Sequence, residues 1–292
     1  MDFVIKRPVN IKKVLLRVLL YIILTFFAIL FLIPIYVLVV TGLKVFQEVD
    51  LNKMWALPNF NFSSFKEISI RFSSFQSAIE KLSPNILNSF LLAIPATLIS
   101  SFLGAMNGYI LSKWKFKGAD VVFPLILFGM FIPYQSILIP LVQFLNLIHL
   151  YGTIPGLILT HVVYGLPITT LIFRNYFAEV PDELLESGFM DGCGFFGTFL
   201  RILLPISAPG FVVTFIWQFT NVWNEFLFAV SITPNPKLQP VTVALQNLAG
   251  SQIVEWNIQM AGAIIAALPT LLIYIFLGKF FIKGLLAGSV KG

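Results

Sequence analysis

Residues 18–40 read VLLYIILTFFAILFLIPIYVLVV, twenty-three positions without a charge. About 20 residues, rising 1.5 Å each, cross the roughly 30 Å hydrocarbon core of a bilayer. This stretch alone therefore calls for a membrane-spanning helix. Lys6, Arg7, Lys12, Lys13 and Arg17 precede it, as basic residues precede a signal peptide. Its apolar run exceeds the roughly 7–15 residues of a signal core, and no small-x-small cleavage site follows Val40, so it is expected to be retained.

Working outward, five further apolar runs of similar length occupy residues 86–112, 121–146, 154–173, 206–230 and 261–282. Six crossings make an all-α polytopic membrane protein with both termini on one side. The composition agrees: 58% of the 292 residues are hydrophobic and 11% charged, against about 25% charged in soluble domains. That excludes a water-soluble globule and also a disordered chain, which needs low hydrophobicity and high charge. Of the 32 charged residues, the six runs hold only Glu225 and Lys279. The segment 41–85 carries scattered apolar side chains (Trp55, Leu57, Phe60, Phe62), enough for a short interfacial helix but not for a separate domain. The chain reads as one membrane domain, 1–292, with its core at 86–282.

Positive charge sets the orientation, because cytoplasmic loops collect Lys and Arg. With the N-terminus inside, 13 of the 19 basic residues fall on the cytoplasmic side. The net charge of +6 is thus a property of membrane topology, not of nucleic-acid binding. The expected location is the cell's cytoplasmic membrane.

The spans are built to be irregular. Pro34, Pro95, Pro133, Pro140, Pro167 and Pro269 each remove a backbone donor and kink a helix, which favours a bundle with a cavity over a tight anchor. Gly104 and Gly108 form a small-xxx-small pair suited to a close helix crossing. Polar residues interrupt the runs at Gln135, Gln143, Asn146, His161, Gln218, Asn221, Asn224 and Glu225. Gln218, Asn221 and Glu225 are spaced three and four apart and share one helix face. They serve either interhelical hydrogen bonds or a substrate path. Glu225 lies some 18 residues from the inner end of its run, about 27 Å along a helix, near the outer interface. No carboxylate sits at mid-membrane, where an ion-coupled secondary carrier, the competing class, would want one.

Between the fourth and fifth runs, residues 179–192 read EVPDELLESGFMDG. Pro181 suits a helix start, and Asp182 and Glu183 suit its positive dipole end. Leu185 and Phe189 make an apolar stripe, Asp191-Gly192 a turn. A second stripe follows at Phe195, Phe199, Ile202 and Leu203, closed by Pro205. A short acidic helix on the positive side of the membrane suits a basic partner protein better than anionic lipid.

At this loop the sequence resembles a known family. Glu186-Ser187-Gly188-x-x-Asp191-Gly192, with Leu204-Pro205 beyond it, is similar to the Glu-Ala-Ala-x-x-x-Gly loop of permease subunits in binding-protein-dependent ABC importers. Asn88-Ser89, Ile132-Pro133-Tyr134-Gln135, Ile139-Pro140-Leu141 and Trp223-Asn224-Glu225-Phe226 fit the sugar-importer branch. The tail from Lys283 to Gly292 resembles that of the smaller permease of maltose-type importers. Family members carry Ala where this chain has Ser187, Gly188 and Cys193. The resemblance implies a coupling helix docked on an ATPase through Glu183, Glu186, Ser187, Gly188, Asp191 and Gly192. It also implies a tail reaching the ATPases through Gly288, Lys291 and Gly292. Gln135, Gln218, Asn221 and Asn224 are the candidates for the substrate path, and residues 232–260, with Trp256, for meeting the binding protein. Implied partners are a second related permease, two ATPase subunits carrying ATP and Mg, an extracytoplasmic sugar-binding protein and membrane lipid.

No chemistry of its own is expected from the chain. Gly278-Lys279 is followed by Phe280 and lacks the remainder of a phosphate loop. One cysteine, Cys193, forms neither an internal disulfide nor a zinc cluster, and His149 and His161 are too few for a metal centre. The reading is a non-catalytic subunit without a bound cofactor.

Overall fold

The computed structural model describes residues 11–59, 65–114, 116–250 and 253–287. All regular structure among them is helical. In chain order the α-helices are α1 (Ile11–Gly42), α2 (Phe65–Arg71), α3 (Ser73–Lys113), α4 (Ala119–Phe128), α5 (Leu138–Leu147), α6 (Ile154–Ala178) and α7 (Asp182–Met190). They continue as α8 (Phe195–Thr198), α9 (Leu204–Ile206), α10 (Ala208–Asn224), α11 (Leu227–Ile232), α12 (Val241–Ala249) and α13 (Trp256–Ala287). Four segments are long and apolar enough to cross a bilayer as single helices: Lys12–Gly42, Ser73–Lys113, Ile154–Ala178 and Trp256–Phe280. Two bent pairs raise the count to six if each is one span. They are Ala119–Phe131 with Tyr134–Leu147, bent by 90°, and Phe195–Ile206 with Ala208–Asn224, bent by 76°.

The bends are where the apolar runs needed refining. Run 121–146 breaks around Ile132-Pro133, between two 3-10 turns at Gly129–Phe131 and Tyr134–Ile137. Pro140 falls in the first turn of α5, where a missing N–H leaves no bond unmade. Pro34, Pro95, Pro167 and Pro269 lie inside helices as expected. Pro205 does not close its stripe. The chain winds as a π-helix over Phe199–Leu203, continues through α9 and turns only at Ser207. The carbonyls freed at such a break need partners inside a membrane. That of Ile206 accepts the Tyr176 hydroxyl at 2.8 Å. A second break separates α10 from α11, and there the Glu225 carbonyl accepts the Thr242 hydroxyl at 3.0 Å.

The chain divides into two compact units. The first comprises Met1–Ala78 and Val254–Ile264. In it the strongest 18-residue apolar window of α1 is 0% buried. The segment after α1 folds back on its end: Tyr36 Oη donates to the Trp55 carbonyl at 2.9 Å, and Thr41 Oγ1 to that of Met54 at 3.2 Å. Lys44 is buried with its ammonium on the Lys53 and Met54 carbonyls. Burial holds its pKa below the ordinary lysine value, although Glu48 and Asp50 pull it upward. Arg71 pairs with Glu48.

The second unit comprises Ile79–Ile253 and Ile265–Gly292. One apolar core joins Leu82, Leu92, Leu157, Phe219, Trp223, Phe228 and Val241. A smaller one joins Tyr109, Phe173, Phe177, Leu185, Phe199 and Leu203. The expected glycine crossing is present between α3 and α6. A Cβ on Gly104 would lie 2.3 Å from Thr169 Oγ1, and one on Gly108 2.7 Å from the Arg174 nitrogen. Thr169 Oγ1 also donates to the Ser100 carbonyl at 3.0 Å.

Candidate functional site

Two places in the second unit gather the residues singled out above. The first is a cavity of about 590 Å³ walled by α6, α10 and the α10–α11 break. α10 presents Trp217, Gln218, Asn221 and Asn224 to it, spaced by three and four along one helical face. Tyr134, His161, Tyr164 and Phe228 supply the facing wall. Gln218 is buried, and its Nε2 donates to the His161 carbonyl at 3.0 Å. Gly165 makes this approach possible, because a Cβ there would lie 2.2 Å from Gln218 Nε2. Asn221 and Asn224 are exposed, and each tethers its amide nitrogen to the carbonyl four residues back, at 2.8 and 2.9 Å.

Glu225 also lines the cavity, but its oxygens are engaged. Oε1 accepts the Phe228 amide at 2.7 Å and Oε2 the Ala229 amide at 3.2 Å. The carboxylate thus satisfies the open N–H groups at the start of α11. His161 Nε2 stands 3.8 Å from Glu225 Oε2, beyond hydrogen-bond range. What remains open to a ligand is a set of neutral amides and hydroxyls facing flat aromatic rings. A mainly apolar wall with a few placed polar groups is the usual make-up of a small-molecule site.

Three of the four path candidates, Gln218, Asn221 and Asn224, therefore meet in one cavity. Gln135 is exposed and does not line it; its neighbour Tyr134 does. The sequence reading passed over Tyr134, Tyr164 and Trp217. A signal was available, since Tyr164 follows His161 by three residues and Trp217 adjoins Gln218. It also missed Asn85, one turn before Asn88 on α3. Asn85 Nδ2 donates to the Pro236 and Gln239 carbonyls at 3.0 and 2.8 Å, and Asn88 Nδ2 to Lys237 and Gln239 at 2.8 and 3.2 Å. Together with Ser89, whose Oγ accepts the Val241 amide at 2.8 Å, they hold the segment leading into α12. Trp256 is half-buried at the start of α13.

The second place is α7. Asp182 and Glu183 occupy its first turn, and the helix ends in a Schellman arrangement. Gly192 takes φ +81°, its amide donates to the Phe189 carbonyl at 3.0 Å, and the Cys193 amide to that of Gly188 at 2.9 Å. Leu185 and Gly188 face inward, and a Cβ on Gly188 would lie 2.3 Å from Ile202 Cδ1. Glu183, Glu186, Ser187, Asp191 and Gly192 face outward and are exposed, with Met190 88% exposed beside them. Of the six coupling candidates, five thus share an outer acidic surface, while Gly188 seats the helix on its own chain. Gly288, Lys291 and Gly292 lie outside the described residues.

Residues 100–286 match the model of the family described as binding-protein-dependent transport system inner membrane component. The chain belongs to this family. The permease is a multi-pass membrane component of an ABC-type import system, and its family membership implies a non-catalytic role. It is 34% identical over 290 residues to the xylose/arabinose import permease protein XacI of Haloferax volcanii, covering 92% of each chain. It is 55% identical over 168 residues to a probable ABC transporter permease protein of Pyrococcus horikoshii, spanning 58% of this chain and 61% of that one. Its fold matches a crystal structure of a bacterial ABC transporter involved in import of the acidic polysaccharide alginate, with a TM-score of 0.77 at 16% identity. That match covers 94% of this chain and all of that one.

Proposed function

We propose that the permease is one membrane-spanning half of an ATP-driven sugar importer, of the kind of the smaller permease in maltose-type systems. In this reading 1–292 form one permease domain with its core at 86–282. Each bent pair is one of six spans, and both termini are cytoplasmic. α7 is the coupling helix, with Glu183, Glu186, Ser187, Asp191 and Gly192 docked on an ATPase subunit and Gly188 holding the helix in place. Gly288, Lys291 and Gly292 extend toward the ATPases. A second related permease completes the pathway, two ATPase subunits hydrolyse ATP with Mg, and an extracytoplasmic binding protein delivers the sugar to the outer segments.

One observation carries the reading: α7 is an exposed acidic helix firmly seated through its inner face, and the bias of basic residues in the sequence supports putting it on the cytoplasmic side. Packing of Leu185 and Gly188 seats the helix from behind, and the exposed acids Glu183, Glu186 and Asp191 suit another protein. The sugar class is supported by the import role named for the Haloferax relative and by the cavity. Neutral amides at Gln218, Asn221 and Asn224 match the hydroxyl edges of a sugar, and the rings of Tyr134, Tyr164 and Trp217 match its apolar faces. The Glu225 carboxylate is held by two α11 amides, and the groups left open in the wall are neutral, a set suited to an uncharged cargo.

The test is Glu186→Lys in the whole importer. Uptake of labelled sugar is expected to be abolished while the chain stays in the membrane, because a cation then meets the basic docking surface. Uptake at the unaltered rate would remove the coupling role from α7.

A further inference from the structure

We infer that Lys113 is the positioning residue that carries a pull on α7 into the membrane-spanning helices. The inference rests on the coupling role proposed for α7. Lys113 is the last residue of α3, and its ammonium reaches across to the start of α7. It donates to the Val180 carbonyl at 2.5 Å and to Asp182 Oδ1 at 2.6 Å. Its side chain is only 7% exposed, whereas that of Asp182 is 60% exposed. A lysine this well buried is uncommon unless it is paired, and both of its acceptors belong to the segment that opens α7.

The apolar contacts of α7 are of a different kind. Gly188 rests on Ile202, Leu185 is buried in the small core, and the Phe189 ring meets Trp114 edge-on at 6.3 Å. These are packing contacts. They resist compression, but they are non-directional and part as soon as water can enter between them. The Lys113 bonds are charge-assisted and directional, the strong class of hydrogen bond, so they hold when α7 is drawn away from the body. Packing thus transmits a push, and Lys113 transmits the pull.

From Lys113 the route inward has little slack. Along α3, Gly108 and Gly104 lie five and nine residues back, the farther about 13 Å away at 1.5 Å per residue. Both lie so close to α6 that an added Cβ would clash, at Gly104 with Thr169 and at Gly108 with the backbone of Phe173 and Arg174. α6 carries Thr169 at that crossing and, one turn away, Gly165, which packs directly on Gln218 of the cavity. Close-packed elements pass displacement on where flexible side chains would absorb it.

The decisive experiment uses the whole importer and measures two rates, ATP hydrolysis and uptake of labelled xylose, alongside co-purification of the ATPase subunits. Xylose is the probe because the Haloferax relative is named for it, and glucose serves if the wild type does not take up xylose. For Lys113→Met we expect the ATPases to remain bound, hydrolysis to stay near the wild-type rate and uptake to fall about tenfold, the size of a typical coupling between sites. ATP consumed per sugar then rises, which a merely structural role would not produce. Lys113→Arg should recover most of the uptake, because charge and reach are kept. Asp182→Asn should lose little, because the Val180 bond remains. If the Met variant fails to reach the membrane, Lys113→Gln, which retains a neutral donor, takes its place with the same expectation. Normal uptake in the Met or Gln variant overturns the inference. So does a parallel fall in hydrolysis and uptake, or loss of the ATPases from the complex, since Lys113 would then only fold α7. Glu186→Lys, run beside it, separates the two ideas. If it leaves uptake unaltered, the coupling reading falls; if it abolishes uptake while Lys113→Met is normal, the Lys113 inference alone falls.

Discussion

Two glycines of this chain are needed for opposite reasons. Gly192 sits at φ +81° with nothing within 4 Å of an added Cβ, so its requirement is purely conformational. Gly108 has an ordinary helical backbone, but an added Cβ would lie 2.8 and 2.7 Å from the Phe173 and Arg174 backbone, so its requirement is purely one of space. Gly192→Ala should therefore cost about 1 kcal/mol, the penalty of a left-handed alanine. Gly108→Ala should cost about 3 kcal/mol, because α6 must move to admit it. Heating the purified protein and following its monodisperse fraction ranks the two; a more damaging change at Gly192 would contradict the assignment. Both glycines could be read from sequence, one in a small-xxx-small pair and one in an Asp-Gly turn. The inward direction of Gly188 could not. A small residue on a short helix fits either face, and only the position of Ile202 decides between them.

At the scale of elements, hydrophobic runs disclose length far better than direction. Residues 18–40, 86–112, 154–173 and 261–282 all lie within single helices, whereas 121–146 and 206–230 are each broken. An apolar run looks the same whether it is one rod or two, because the outcome turns on which freed carbonyls find donors. At Ile206 that donor is Tyr176, thirty residues away in sequence. Gln135, singled out as a polar residue within an apolar run, does not line the cavity, whereas its neighbour Tyr134 does. Both sit in the 3-10 turn Tyr134–Ile137, whose tighter winding sends adjacent side chains in different directions. Glu225, expected on one face with Gln218 and Asn221, lines the same cavity and also caps α11 from the end of α10. Glu225→Ala should free the α11 amides and lower their protection by about 1 kcal/mol, the usual value of a lost cap. Glu225→Gln keeps one acceptor and should lose about half as much. Hydrogen exchange at residues 227–232 measures both; unchanged protection in the Ala variant would refute the capping role.

For the molecule as a whole, the orientation proposed from charge has a built-in reporter. Cys193 is the one cysteine in the chain and lies half-exposed just beyond α7. A membrane-impermeant maleimide should leave Cys193 unlabelled in intact cells and label it once the membrane is permeabilised. Labelling from outside would invert the topology and take α7 away from any cytoplasmic ATPase.

The bare flank of α1 has a consequence of its own. Its apolar run of twenty-three residues extends about 35 Å, longer than a hydrocarbon core of roughly 30 Å, and such an excess is relieved by tilting. Among the described residues its strongest apolar stretch is unburied, so bilayer thickness and neighbouring subunits set the tilt angle. The segment bound to the end of α1 through Tyr36, Thr41 and Lys44 must follow. The lipid in which this protein sits thereby gains a lever on the height at which residues 43–57 meet the aqueous side.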